Sequence, residues 1–191
     1  MFVRLAVNVS MTVIPFYAEY VLEFGKKEPE PENGFGERED KIPDQVAIIP
    51  LITYCCSILY SLFLYKRMMN YFGNRLIPMF IGVIIISVSS IPYLFMSRDF
   101  RWLVYIVCGI QGVGLALLLN TATSLISDVI GSDDKSSAFV YGAYSLLDKF
   151  SGGFVLVLIA EETKNPTALR YFAGLLPPVT AAAAFGLTYL G

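Results

Sequence analysis

From Leu76 to Met96 the chain reads LIPMFIGVIIISVSSIPYLFM, with no charged side chain. As a helix this run is long enough to cross a hydrocarbon core about 30 Å thick, which takes roughly 20 mainly apolar residues. No other feature constrains the fold so strongly. In lipid, backbone polar groups have no water to turn to, so a spanning segment must be a helix or part of a closed barrel. The short alternating segments of a barrel are not seen. Other apolar runs follow, and the charge is gathered into short stretches between them.

This pattern predicts an all-α transmembrane protein with one domain of six helices, at about 2–22, 45–65, 76–96, 102–126, 137–160 and 169–190. Residues 23–44, including GKKEPEPENGFGEREDKIPD, are acidic and rich in Pro and Gly. They have no apolar face to bury and read as a disordered loop, with an ion-collecting vestibule as the functional alternative. The first segment, a charged residue followed by an apolar run, also has the outline of a signal peptide. However, Asn8, Ser10, Thr12 and Pro15 interrupt its apolar centre.

Composition narrows the function classes. Charged residues make up 16% of the 191, against about 25% in soluble domains. The net charge is −2 with no Lys/Arg-rich block, which argues against a nucleic-acid partner. Histidine is absent, so there is no Ser-His-Asp triad, His-ligated zinc or imidazole relay. Any proton carried here rides on carboxylates. Cys55, Cys56 and Cys108 lie in apolar runs and read as free buried thiols. No phosphate loop, catalytic carboxylate pair or metal motif is present, so neither an enzyme nor a cofactor is expected.

The informative residues are the polar ones inside spans. Asp148 and Lys149 sit near the middle of the fifth helix, where an ionised group costs about 2.5–3.5 kcal/mol on insertion scales. Neighbours in sequence do not face each other on a helix, so each needs its own partner or a wet cavity. Tyr141, Ser145, Asp148 and Gly152 form one helical stripe, and Ala138, Gly142, Ser145, Lys149 and Gly153 another. Such a polar and small-residue arc suits a helix facing a cavity. A static ion pair with another helix, such as Lys149 with Asp128, meets the same cost.

Helix one carries a stripe of Arg4, Asn8, Thr12, Pro15 and Glu19. Arg4 and Glu19, near its ends, are expected to snorkel to the interface. Asn8 and Thr12 lie deeper and are cavity candidates, and Pro15 predicts a bend. Helix four adds Gln111 and a terminal Asp128. Lys66, Arg67 and Arg75 favour a cytoplasmic turn between helices two and three, whereas the basic residues of the acidic loop favour the other side.

Two segments resemble a known family. Asn70-Tyr71-Phe72-Gly73-Asn74-Arg75 resembles a degenerate copy of the major facilitator loop signature, with Asn70 where aspartate is usual. SLISDVIGSDDKSSAFVYGAYSLLDKFSGG, Ser124–Gly153, is similar to helices ten and eleven of the glycoside–pentoside–hexuronide cation symporter group of that superfamily. The resemblance covers the chain apart from the acidic loop. It implies that the six helices correspond to the second half of a twelve-helix carrier, either as a fragment or as a half that pairs with a second copy. Both termini and the basic turn would then be cytoplasmic.

The implied mechanism is alternating access for a small solute, coupled to H⁺ or Na⁺. Lys149 would lie at the solute and cation site. With it the pathway would comprise Asp148, Asp128, Tyr141, Ser145, Asn8, Thr12 and Gln111. The branch that RLAVNVS and SAFVYGAYSLLDKFSGG resemble implies cysteine import across lysosomal or melanosomal membranes. A sugar–cation symporter, a plasma-membrane location and a non-transporting scaffold or chaperone are the alternatives.

Overall fold

The computed structural model describes residues 2–22, 44–96, 100–130, 134–162 and 165–190. The predicted acidic loop lies outside the described residues except for Asp44, which opens a helix. The elements are α1 (Phe2–Tyr20), α2 (Asp44–Leu59), a π-helical turn (Tyr60–Leu64), α3 (Tyr65–Phe72), α4 (Leu76–Phe95), α5 (Leu103–Ile130), α6 (Asp134–Glu162) and α7 (Pro166–Leu190). There is no strand among the described residues.

α2, the π turn and α3 run on without a break, so the elements make six rods. Five described stretches are long and apolar enough to cross a membrane: Val46–Phe72, Leu76–Phe95, Leu103–Asp128, Ala138–Glu161 and Pro166–Leu190. α1 is more polar, carrying Arg4, Asn8, Ser10, Thr12 and Glu19 in its 19 residues.

The rod through α3 is longer than the sequence predicts. The apolar pattern makes residues 66–75 a connection, yet the helix continues to Phe72. No Gly or Pro interrupts Lys66–Phe72, and this segment is strongly amphipathic. Gly73 ends it at φ 60°, donating its N–H to the Met69 carbonyl at 3.1 Å. A glycine takes this left-handed conformation at no steric cost. Asn74 Oδ1 then accepts from the Leu76 N–H at 3.0 Å, and α4 begins.

α1 is the inner rod. It packs most closely on α7 and also touches α6, α2 and α5. α2 lies on α5, α5 on α4, and α4 on α7. α6 stands at the edge, with α1 as its main neighbour. The main core gathers Val9, Val13 and Tyr17 of α1 with Ile49, Tyr93, Val104, Val155, Ile159 and Leu169. A second cluster, around Val3, Ala6, Met79, Ile86, Leu118 and Ala181, continues it.

Outside, large apolar side chains are bare. Leu62, Phe63, Phe95, Phe139, Phe150 and Phe154 are all exposed. Contiguous apolar surface on this scale suits lipid as solvent. The chain is an all-α multi-pass membrane protein.

Candidate functional site

The costly carboxylate of α6 is met by α1. Tyr144, Asp148, Ser151, Val155 and Ile159 follow helical spacing, and that face turns inward. Asp148 is only 7% exposed. Its Oδ2 accepts from Arg4 Nη1 at 3.1 Å, and its Oδ1 accepts from Asn8 Nδ2 at 2.9 Å. Arg4 and Asn8 are one turn apart and share a face, which lets both reach one carboxylate.

Gly152 makes the approach possible: a Cβ there would stand 3.1 Å from Asn8 Nδ2. The Arg4 guanidinium also lies over the Tyr144 ring, 5.0 Å from its centre, within cation–π range. Side-chain exposure is 37% for Arg4 and 10% for Asp148, so the pair opens to one side. Two buried polar atoms beside it, Arg4 Nε and the Tyr144 hydroxyl, have no hydrogen-bond partner among the described residues. Position near a helix end makes Arg4 a snorkelling residue in the sequence; in the structure it is the counter-charge. The signal for this was its four-residue spacing from Asn8 combined with an unpaired acid on another helix.

The other predicted site residues fall into separate groups. Lys149 is exposed and has no hydrogen bond or ion pair with a described residue. Ser145 is exposed and Thr12 half-buried. Asp128 pairs with Arg75, not with Lys149, and Arg75 Nη1 also donates to the Ser124 carbonyl at 2.7 Å. Tyr141 joins this end of the bundle through a 2.8 Å hydrogen bond between its hydroxyl and Ser127 Oγ.

Gln111 sits in the dry core. Its Oε1 accepts from the Tyr93 hydroxyl at 2.8 Å, and its Nε2 donates to Ser10 Oγ at 3.2 Å. Tyr17 extends the chain by donating to the Tyr93 carbonyl at 2.8 Å. This network ties α1, α4 and α5 together.

A cleft of about 340 Å³ opens between α1, α2 and α5. Met11, Ile58, Leu115 and Leu119 form much of its wall, and Ser61 and Asn120 line it too. Asn120 Nδ2 donates to Ser61 Oγ at 2.8 Å, while Ser57 is committed to the Gly112 and Thr53 carbonyls at 2.8 Å each.

No protein-family profile matches the chain, and no solved structure matches it. Among curated proteins it is similar to major facilitator superfamily domain-containing protein 12 of Equus caballus, 31% identical over 167 residues. It is also similar to the proteins of that name in Homo sapiens and Mus musculus, each 30% identical over 166 residues. These alignments cover 87% of this chain, which spans 30–31% of the length of the curated relatives it matches. The apolar helical bundle and these matches together relate the chain to the major facilitator superfamily.

Proposed function

We propose that this chain forms one wall of an alternating-access carrier for a small solute bearing charges of both signs. The observation that carries the reading is at mid-span in α6, where Lys149 is exposed beside the Arg4–Asp148 pair. An ammonium left bare to lipid at that depth costs about 2.5–3.5 kcal/mol; facing water or a second helical bundle removes most of that cost. A chamber between two bundles supplies both surroundings, and rocking of the bundles exposes it to each side in turn.

Within that chamber Arg4 and Lys149 offer cations to a solute carboxylate. The carboxylate of Asp148 balances the charge and draws the solute ammonium. Asn8, Thr12 and Ser145 add hydrogen bonds around them. The second bundle is the remainder of a longer chain or another copy. An amino acid meets this charge pattern better than a sugar, and cysteine import into lysosome-related organelles, coupled to H⁺ or Na⁺, is the specific activity proposed.

The test is uptake of labelled cysteine, cystine and sugars into vesicles holding the chain, with and without a Na⁺ or pH gradient. Lys149→Ala is expected to reduce amino-acid uptake more than tenfold with normal membrane insertion. Unchanged uptake by that variant would leave a scaffold role, and preferential sugar uptake would replace the amino-acid reading. A fluorescently tagged chain should coincide with a lysosomal marker; a plasma-membrane pattern removes the organelle assignment.

A further inference from the structure

The cleft between α1, α2 and α5 is separate from the ion cluster, yet the two share one face of α1. Arg4, Asn8 and Met11 recur at four and three residues, with Val7 beside them, so they form a continuous stripe. Arg4 and Asn8 hold the α6 carboxylate, while Val7 and Met11 line the cleft. Along the axis, Met11 lies roughly 5 Å beyond Asn8 at 1.5 Å per residue.

We infer that this cleft is the side-chain pocket of the carrier, selecting solutes with a compact, uncharged, mainly apolar side chain. The inference rests on the charged cluster being the anchor for the solute's ionic groups, as proposed above. Three observations support it.

The first is size. The cleft measures about 340 Å³, about twice the roughly 150 Å³ apolar cavity that accommodates benzene. An amino-acid side chain fits with room to spare.

The second is chemistry. No carboxylate, ammonium or guanidinium lines the cleft, and its wall is chiefly Val7, Met11, Ile58, Leu115 and Leu119, with Tyr54 among the rest. A charged side chain entering it meets no counter-ion and is disfavoured on the order of a hundredfold.

The third is the polar pair at Ser61 and Asn120. Their mutual bond leaves the Ser61 hydroxyl proton and the Asn120 carbonyl oxygen with no other described partner. With the second Asn120 N–H, that gives two donors and an acceptor for a weakly polar group in a mainly apolar pocket that Tyr54 and Ser57 also line. Ser61 belongs to the π-helical turn, a distortion that recurs at functional sites.

The experiment uses the full chain in lipid nanodiscs and equilibrium binding of labelled L-alanine, L-methionine, L-phenylalanine and L-lysine. Methionine is expected to bind about tenfold tighter than alanine, and lysine about a hundredfold weaker than methionine. Ala116→Phe fills the cleft from α5, and the methionine-to-alanine ratio should collapse toward one. Leu119→Ala enlarges it, and phenylalanine should gain several-fold over methionine; this variant carries the test if Ala116→Phe does not fold.

Ratios unmoved by either variant overturn the pocket assignment while leaving the carrier reading intact. The pocket assignment is equally overturned if the variants change only the lipid retained by the purified protein, measured by mass spectrometry. Failure of the wild-type chain to bind any of the four overturns the pocket and the amino-acid reading together. If Arg4→Ala abolishes binding of every probe while the cleft variants change only ratios, anchor and pocket are separated as inferred.

Discussion

Replacing Gly112 by alanine tests the seam on which the cleft is built. Gly112 lies on α5 where it crosses α2, and a Cβ there would overlap the Thr53 carbonyl oxygen. It would also stand only 3.2 Å from the Thr53 carbonyl carbon and Cα. Carbon atoms prefer roughly 3.5–4.0 Å, and the oxygen overlap is tighter still, so the rods must part by on the order of 0.5–1 Å. The obstacle is backbone, which cannot swing aside as a side chain does.

Parting by that much forfeits a quarter or more of the local dispersion energy. It also stretches the 2.8 Å bond from Ser57 Oγ to the Gly112 carbonyl. Overpacking of this kind costs about 1–3 kcal/mol, partly offset by about 0.5–1 kcal/mol from alanine's better helix propensity. The net expectation is a loss of about 1–2 kcal/mol.

At roughly 2–4 °C per kcal/mol for a chain of this size, Gly112→Ala should lower Tm by about 2–8 °C. The assay is thermal unfolding in detergent, followed by size-exclusion chromatography of the surviving monodisperse protein. Gly142→Ala is the internal control: a Cβ at Gly142 meets nothing within 4 Å, so only the propensity gain remains and Tm should rise slightly. A Gly112→Ala protein as stable as wild type, or a control that falls equally, would refute the close-approach argument.

Three further outcomes follow from the ion cluster and the buried network. Asp148→Asn keeps the shape but removes the charge facing Arg4. The pair is partly open, so its loss should fall between surface and buried pairs, at about 1–3 kcal/mol, with uptake reduced more than tenfold in the vesicle assay. Tyr144→Phe deletes a buried hydroxyl that has no partner among the described residues. Solute-free protein should melt at the same or a higher temperature, because burying such a group unpaired costs about 1–3 kcal/mol; a marked fall would mean the hydroxyl is bonded after all. Gln111→Leu strips partners from Tyr93 and Ser10 and should cost about 1–3 kcal/mol in the same melt, with membrane insertion unchanged.

The spans were legible because lipid imposes one solution on an apolar run, and that rule acts locally. The expense of Asp148 was legible for the same reason. Its partner was not, since Arg4 lies 144 residues away and its place near a helix end reads equally well as an interfacial anchor. Gln111 could be recognised as polar within a span, but only the crossing of three rods decides that Tyr93 and Ser10 enclose it. The continuation to Phe72 was hidden because Lys66, Arg67 and Asn70 look like a solvated turn. Gly73 was the true punctuation, and nothing before it prevents a helix. The cleft had no local signal, since its walls are contributed a few residues at a time by three separate rods.

The continuous rod from Val46 to Phe72 has 27 residues, roughly 40 Å at 1.5 Å per residue, whereas hydrocarbon is about 30 Å thick. An average lean of about 20° absorbs only a few ångströms of that surplus, so this rod overhangs the bilayer. Its far end carries exposed Lys66, Arg67 and Tyr71, placing positive charge and a phenol among the headgroups. A thicker or thinner membrane would therefore be accommodated by the overhang, sparing the Ser57–Gly112 crossing deeper in the bundle.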